Sequence, residues 1–134
     1  MSSKTLLSNI FTTAQTLTTT PVVYDYKQKA SVMLQAVLAY GSGGTTIDAW
    51  VQTSIDGVNW IDVCNFHFTT ASAKFLFNLS ALTPVTSEYT PTDGTLTANT
   101  AKDGIIGNLW RVKYQSSGTY AGNTTLTIQM SERP

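Results

Sequence analysis

The chain has 134 residues, enough for one domain with one sizeable core, and no internal repeat divides it. Eight basic and eight acidic residues cancel, and charged residues make up 12% of the chain against the usual share of about 25%. The basic residues are scattered, with Lys27/Lys29 and Arg111/Lys113 the closest pairs, so there is no phosphate-binding stripe. No apolar run approaches the roughly 18 residues of a membrane helix, so neither nucleic acid nor a membrane is an expected partner.

Hydroxyls stand where charge is missing, with 23 Thr and 12 Ser; Thr suits a pleated strand and keeps an exposed face wet. Three Trp, six Tyr and five Phe argue for a real core rather than disorder. Residues 1–20 are polar and Thr-rich, with Leu6, Leu7, Ile10 and Phe11 as isolated anchors. They read as an extended N-terminal arm or an edge strand, and Pro21 then opens the Val22–Tyr26 segment. The start lacks the basic and apolar regions of a signal peptide, so a chain made and kept in a cytoplasm is expected.

From Val32 to Tyr40 the chain is apolar on both faces; a 3.6-residue helix also fits, but the flanking turns, the β-branched content and the short length favour a central buried strand. Gly41-Ser42-Gly43-Gly44 follows and reads as a hairpin loop into the next strand. There Ile47, Ala49 and Val51 share one face, with Asp48, Trp50 and Gln52 opposite; a Trp among polar neighbours implies that the outer face is covered too. Asp56-Gly57 is a strong turn signal leading into Asn59–Phe68. Phe75, Phe77 and Leu79 alternate with Lys74 and Asn78; Trp110, Val112 and Tyr114 with Arg111 and Lys113; and Leu126, Ile128 and Met130 with Thr125, Thr127 and Gln129. Such period-2 alternation predicts an all-β fold, an antiparallel β-sandwich or jelly-roll-like domain of about seven or eight strands over residues 21–134. The stretch 83–108, with two Pro and three Gly, is long for a loop, which implies a functional or partner-ordered segment.

Candidate chemistry is sparse. Cys64 and His67 are the only residues of their types and supply at most two of the four ligands of a structural zinc site; on a strand they point to opposite faces. A buried inert thiol and a packed or hydrogen-bonded imidazole are the expectations. Asp48 and Asp62 could approach across the Asp56-Gly57 hairpin as a carboxylate pair, and Asp56, Asn59 and Asp62 could offer oxygens to calcium, but neither set has the full pattern such sites need. Asn78-Leu-Ser80 and Asn123-Thr-Thr125 are sequons with no secretory context. Trp50, Trp60, Trp110 and Tyr114 could form a sugar-stacking platform, although the alternation places Trp60 and Trp110 in the core. No catalytic, cofactor-binding or metal residue is assigned, no cofactor is implied, and no enzyme is expected.

The Ser54-x-Asp56-Gly57-x-x-Trp60 hairpin, with the later Trp110-Arg111-Val112-Lys113 strand, resembles small β-sandwich virion proteins of tailed bacteriophages. The hairpin letters also resemble sialidase Asp-boxes and discoidin-like carbohydrate-binding domains, which fit less well. The phage resemblance implies a head decoration (cement) protein that contacts the major capsid protein, or a neck, tail or fibre component. It places the chain in a virion assembled in the host cytoplasm, as an expected homo-oligomer. A glycan-binding module is the alternative of another class.

Overall fold

The computed structural model describes residues 3–134, and every strand pairing in it is antiparallel. Seven long strands carry the fold: β1 (Ser3–Ile10), β4 (Ser31–Ala39), β6 (Thr46–Ser54), β7 (Ile61–Phe68), β8 (Ala73–Ser80), β9 (Leu109–Ser117) and β11 (Thr125–Arg133). Four two-residue strands complete it: β2 (Thr18–Thr19), β3 (Val23–Tyr24), β5 (Ser42–Gly43) and β10 (Tyr120–Ala121). The first sheet has the order β1-β11-β4-β8, and the second runs β2-β9-β6-β7 with β3 also on β9. Alternating side chains of the two sheets meet face to face, which makes the antiparallel sandwich that the sequence pattern predicts.

The inner faces of β6, β9 and β11 are those expected from the alternation, and β4 and β7 add theirs. Val32, Leu34, Ala36, Leu38, Leu126, Ile128 and Met130 from the first sheet pack on Ile47, Ala49, Val51, Phe66, Trp110, Val112 and Tyr114 from the second. Phe66–Phe77 and Phe68–Phe75, each with ring centroids 5.2 Å apart, close the side of the sandwich between β7 and β8. The strand β4 is central in its sheet, but its outer face is not fully covered: Met33 is exposed and Val37 half-buried.

Gly41–Gly44 does not close a hairpin. The strands β4 and β6 lie in different sheets, so this stretch is a crossover, as is 118–124 between β9 and β11. The two crossovers run side by side and pair through β5 and β10. Their approach requires glycine: a Cβ at Gly41 would stand 2.2 Å from the Gly122 carbonyl oxygen.

Of residues 1–20, the first two lie outside the described residues, and Ser3–Ile10 is the edge strand of the first sheet. A boundary at residue 21 therefore does not separate an arm from the sandwich, because Leu6, Leu7 and Phe11 are buried in its core. Phe11 meets Tyr114 edge-on at 5.9 Å and lies 6.3 Å from Tyr120, and its N–H donates to the Thr124 carbonyl at 2.9 Å. Phe11→Ala is expected to lower unfolding free energy by about 3–5 kcal/mol, as buried aromatic truncations do. Urea denaturation followed by intrinsic fluorescence checks this, and a loss below about 1 kcal/mol would place Phe11 outside the cooperative core.

Candidate functional site

The outer face of the second sheet gathers most of the residues with chemical potential. Asp48, Trp50, Gln52 and Ser54 of β6, Asp62, Asn65 and His67 of β7, and Arg111 and Lys113 of β9 share it, as the cross-strand register shows. The long connection from Ala81 to Asn108 lies over this face. It is fastened by the chain's own groups rather than left for a partner to order.

Asp62 does most of the fastening. It is fully buried, and its carboxylate accepts from the N–H groups of Gly94 (2.8 Å), Thr95 (3.1 Å) and Leu96 (3.2 Å), from the Thr92 hydroxyl (2.8 Å) and from Gln52 Nε2 (2.8 Å). A buried charge is tolerable only with such a full set of donors. The backbone adds further ties: Asp62 N–H donates to the Thr92 carbonyl, Asn65 N–H to Thr100, and Lys102 N–H to Val63. Trp50 Nε1 donates to the Leu96 carbonyl at 2.9 Å, which buries the indole as the sequence implied.

A second network continues from Gln52. Its Nε2 also donates to Asp93 Oδ1 at 2.6 Å, and its Oε1 accepts from Arg111 Nε at 2.7 Å. Asp93 is bridged to Lys113 Nζ at 3.0 Å and Arg111 at 3.8 Å. Partial burial pushes the Asp93 carboxyl up, but hydrogen bonds from Gln52 and Lys113 and the two cations outweigh it and hold the group below its ordinary value. The Arg111 guanidinium lies 4.2 Å from the centre of the Trp60 ring, so Trp60 packs under a cation rather than facing solvent.

The sequence-level candidates separate in space. Cys64 faces the inner core, where burial pushes its thiol up and keeps it protonated, whereas His67 faces outward and bonds Asp48 at 2.8 Å through Nδ1. Asp48 stands opposite His67 and Asp62 opposite Gln52, so four residue steps along β6 separate the two positions, about 13 Å. They do not face one another across a bond-sized gap. Asp56 accepts from the N–H groups of Asn59 and Val58 and from the Asn59 amide, and these donors hold it well below the usual carboxylate range. Its oxygens organise the hairpin tip, which runs from Ile55 to Trp60, and β7 begins at Ile61 rather than Asn59. Among the described residues no group of three or more His, Cys, Asp or Glu is placed to hold a metal ion.

The aromatic platform does not assemble. Trp50 and Trp60 are covered on the outer side, while Trp110 and Tyr114 point into the core. Tyr24 and Tyr26 face solvent most instead, 64% and 70% exposed with rings stacked at 6.3 Å. Sequence reasoning passed over them because two tyrosines in a short segment after Pro21 carry no period. Compared with known proteins, the chain matches no family model, no curated protein and no solved structure.

Asp62→Asn keeps the shape but replaces one acceptor oxygen with an NH2 group, which meets donors on either side: the 94–96 N–H groups and Thr92 on one, Gln52 Nε2 and the Gly94 N–H on the other. It is expected to cost about 3 kcal/mol or more and to open the 83–108 segment first. Amide hydrogen exchange checks this: Gly94, Thr95 and Leu96 should lose protection well before the β6 amides. Uniform loss across the chain would show that Asp62 supports the whole core rather than the covering segment.

Proposed function

We propose that this chain is a non-enzymatic structural protein of a tailed-bacteriophage virion, a head decoration protein that binds the major capsid protein shell and stabilises it. The observation that carries this reading is a group of exposed apolar side chains at one end of the sandwich. Where β6 and β8 finish and β4 starts, Tyr24, Tyr26, Ile55 (81% exposed), Val58 (77%) and Leu82 (82%) all face solvent. Single exposed apolar side chains are ordinary, but five large ones at one end suit burial against a protein surface. The supports beneath them are stiff: Ser54 Oγ accepts from the N–H of Asp56 and Gly57, and Asp56 clamps Val58 and Asn59. Leu82 is held by the Ser80 hydroxyl, and Asp103 caps Ser80 and Thr83. A zero net charge adds little repulsion to packing many copies on one shell. The Ser54–Trp60 hairpin, with its resemblance to small virion sandwiches, points the same way.

A second reading, a carbohydrate-binding module, is favoured by one feature. Tyr26, stacked on Tyr24, lines a groove with Lys27, Gln28, Lys29, Ile106 and Asn108, which combines a stacking surface with amide and ammonium hydrogen-bonding groups. A glycan array separates the two, since specific binding lost in Tyr26→Ala favours the module.

Purified particles test the main reading. The chain is expected in high copy number, stoichiometric with the shell protein; a few copies per particle would move it to the neck, tail or fibre. Ile55→Asp with Val58→Asp should leave thermal unfolding unchanged and weaken shell binding at least about 30-fold, the scale of an interface hot spot. Unchanged binding would take the contact away from this end.

A further inference from the structure

Sheet edges are where sandwiches join one another, and three of the four edges here are blunted. The free side of β7 is covered by the chain's own segment, through Thr92, Thr100 and Lys102 and a bridge between Cys64 and Ala101. The β9 side carries only β2 and β3, two residues each, interrupted by Pro21. The β1 edge is bulged between Thr5 and Leu7 and carries Lys4. The fourth edge, β8, is an unbulged ladder of eight residues without proline or glycine.

The direction of its free groups follows from one hydrogen bond. Ser80 N–H donates to Asp103 Oδ1 at 2.6 Å, so it points away from β4. Alternation along an antiparallel strand then turns the N–H and C=O of Lys74, Leu76 and Asn78 to the same open side. We propose that this edge is a homodimer interface, in which β8 of a second copy pairs antiparallel with β8 about a two-fold axis at Leu76, joining the two first sheets into one.

The chemistry of the strand is self-complementary in that register. Leu76 stands opposite Leu76 of the second copy and Lys74 opposite Asn78, and each of these opposed pairs exchanges two main-chain hydrogen bonds. Lys74 is the only charged residue of β8, and the two-fold keeps it away from its own copy. On the other face, Phe75 stands opposite Phe77 of the second copy. Phe75 is 36% exposed at the open side of the sandwich, so pairing extends the Phe66–Phe77 and Phe68–Phe75 row across the axis. An exposed Leu76, 58% accessible on the outer face, gains an identical neighbour.

Analytical ultracentrifugation of the purified full chain tests the pairing independently of any virion role. The wild type is expected to sediment as a dimer in the micromolar range. Asn78→Lys sets a lysine opposite Lys74 at both ends of the ladder and should weaken dimerisation about tenfold at low salt. Adding Lys74→Glu to that variant should restore the dimer, because the register turns both contacts into opposite charges. Leu76→Pro removes an outward N–H that β4 does not use, and should give a folded monomer by circular dichroism. A wild type that stays monomeric, or an Asn78→Lys dimer as tight as the wild type, overturns the proposal. So does failure of the double variant to recover.

Discussion

The structure depends on one buried carboxylate. Asp62 sits on a strand that would otherwise present a polar outer face, and its two oxygens collect five donors. Three of these are consecutive main-chain N–H groups of a turn that has no strand of its own to satisfy them. Each party solves the other's problem: the carboxylate would be costly to bury alone, and the turn would be costly to desolvate alone. Apolar burial contributes less here, since Leu96 is the one large apolar side chain of the 83–108 segment that is buried, with Ile105 and Ile106 partly so. A polar staple, more than a hydrophobic one, converts a long connection into a covering layer.

That layer decides what the rest of the surface can do. It takes Trp50 and Gln52 out of solvent, ties down through Asp93 the Arg111 side chain that lies over Trp60, and occupies the hydrogen-bonding edge of β7. The second sheet is therefore closed on its outer face and along one side. The open surfaces belong to the first sheet and to one end of the sandwich. The edge strand β8 of the first sheet carries one charge, Lys74, and the end sets its exposed apolar side chains among Lys27, Asp56 and Asp103; both are carried by backbone that the chain itself has already fixed.

The strands were legible in the sequence because a side-chain period of two is a local property that survives any arrangement of sheets. Which sheet each strand joins was not legible. A hairpin and a crossover between facing sheets both reverse the chain, and both ask for glycine, so Gly41–Gly44 reads the same in either role. The start of the chain was obscured by its bulge: Leu6 and Leu7 are adjacent and both buried, which breaks the alternation that marks a strand. Trp50 was legible as a covered residue because an indole among polar neighbours is out of place on an open face. The partner that covers it was not, because the groups that meet at Asp62 lie about thirty residues further along the chain.

The proposed recognition surfaces rest on backbone that is already ordered. A loop that must be ordered by its partner gives up part of the binding energy to that ordering, whereas a loop already held by its own hydrogen bonds does not. The Asp56 tip belongs to the second kind. Its carboxylate is committed to Asn59 and Val58, so Ile55 and Val58 are exposed by construction and not by disorder. The regular strand β8 is likewise ready, since its free N–H and C=O groups are aligned by the ladder on its other side. Under the two proposed interfaces, the working surface lies on fixed backbone rather than on the irregular segments. The useful distinction is between groups whose bonding is complete, such as the turn over Asp62, and groups left aligned but unspent, such as the tip aliphatics and the β8 edge.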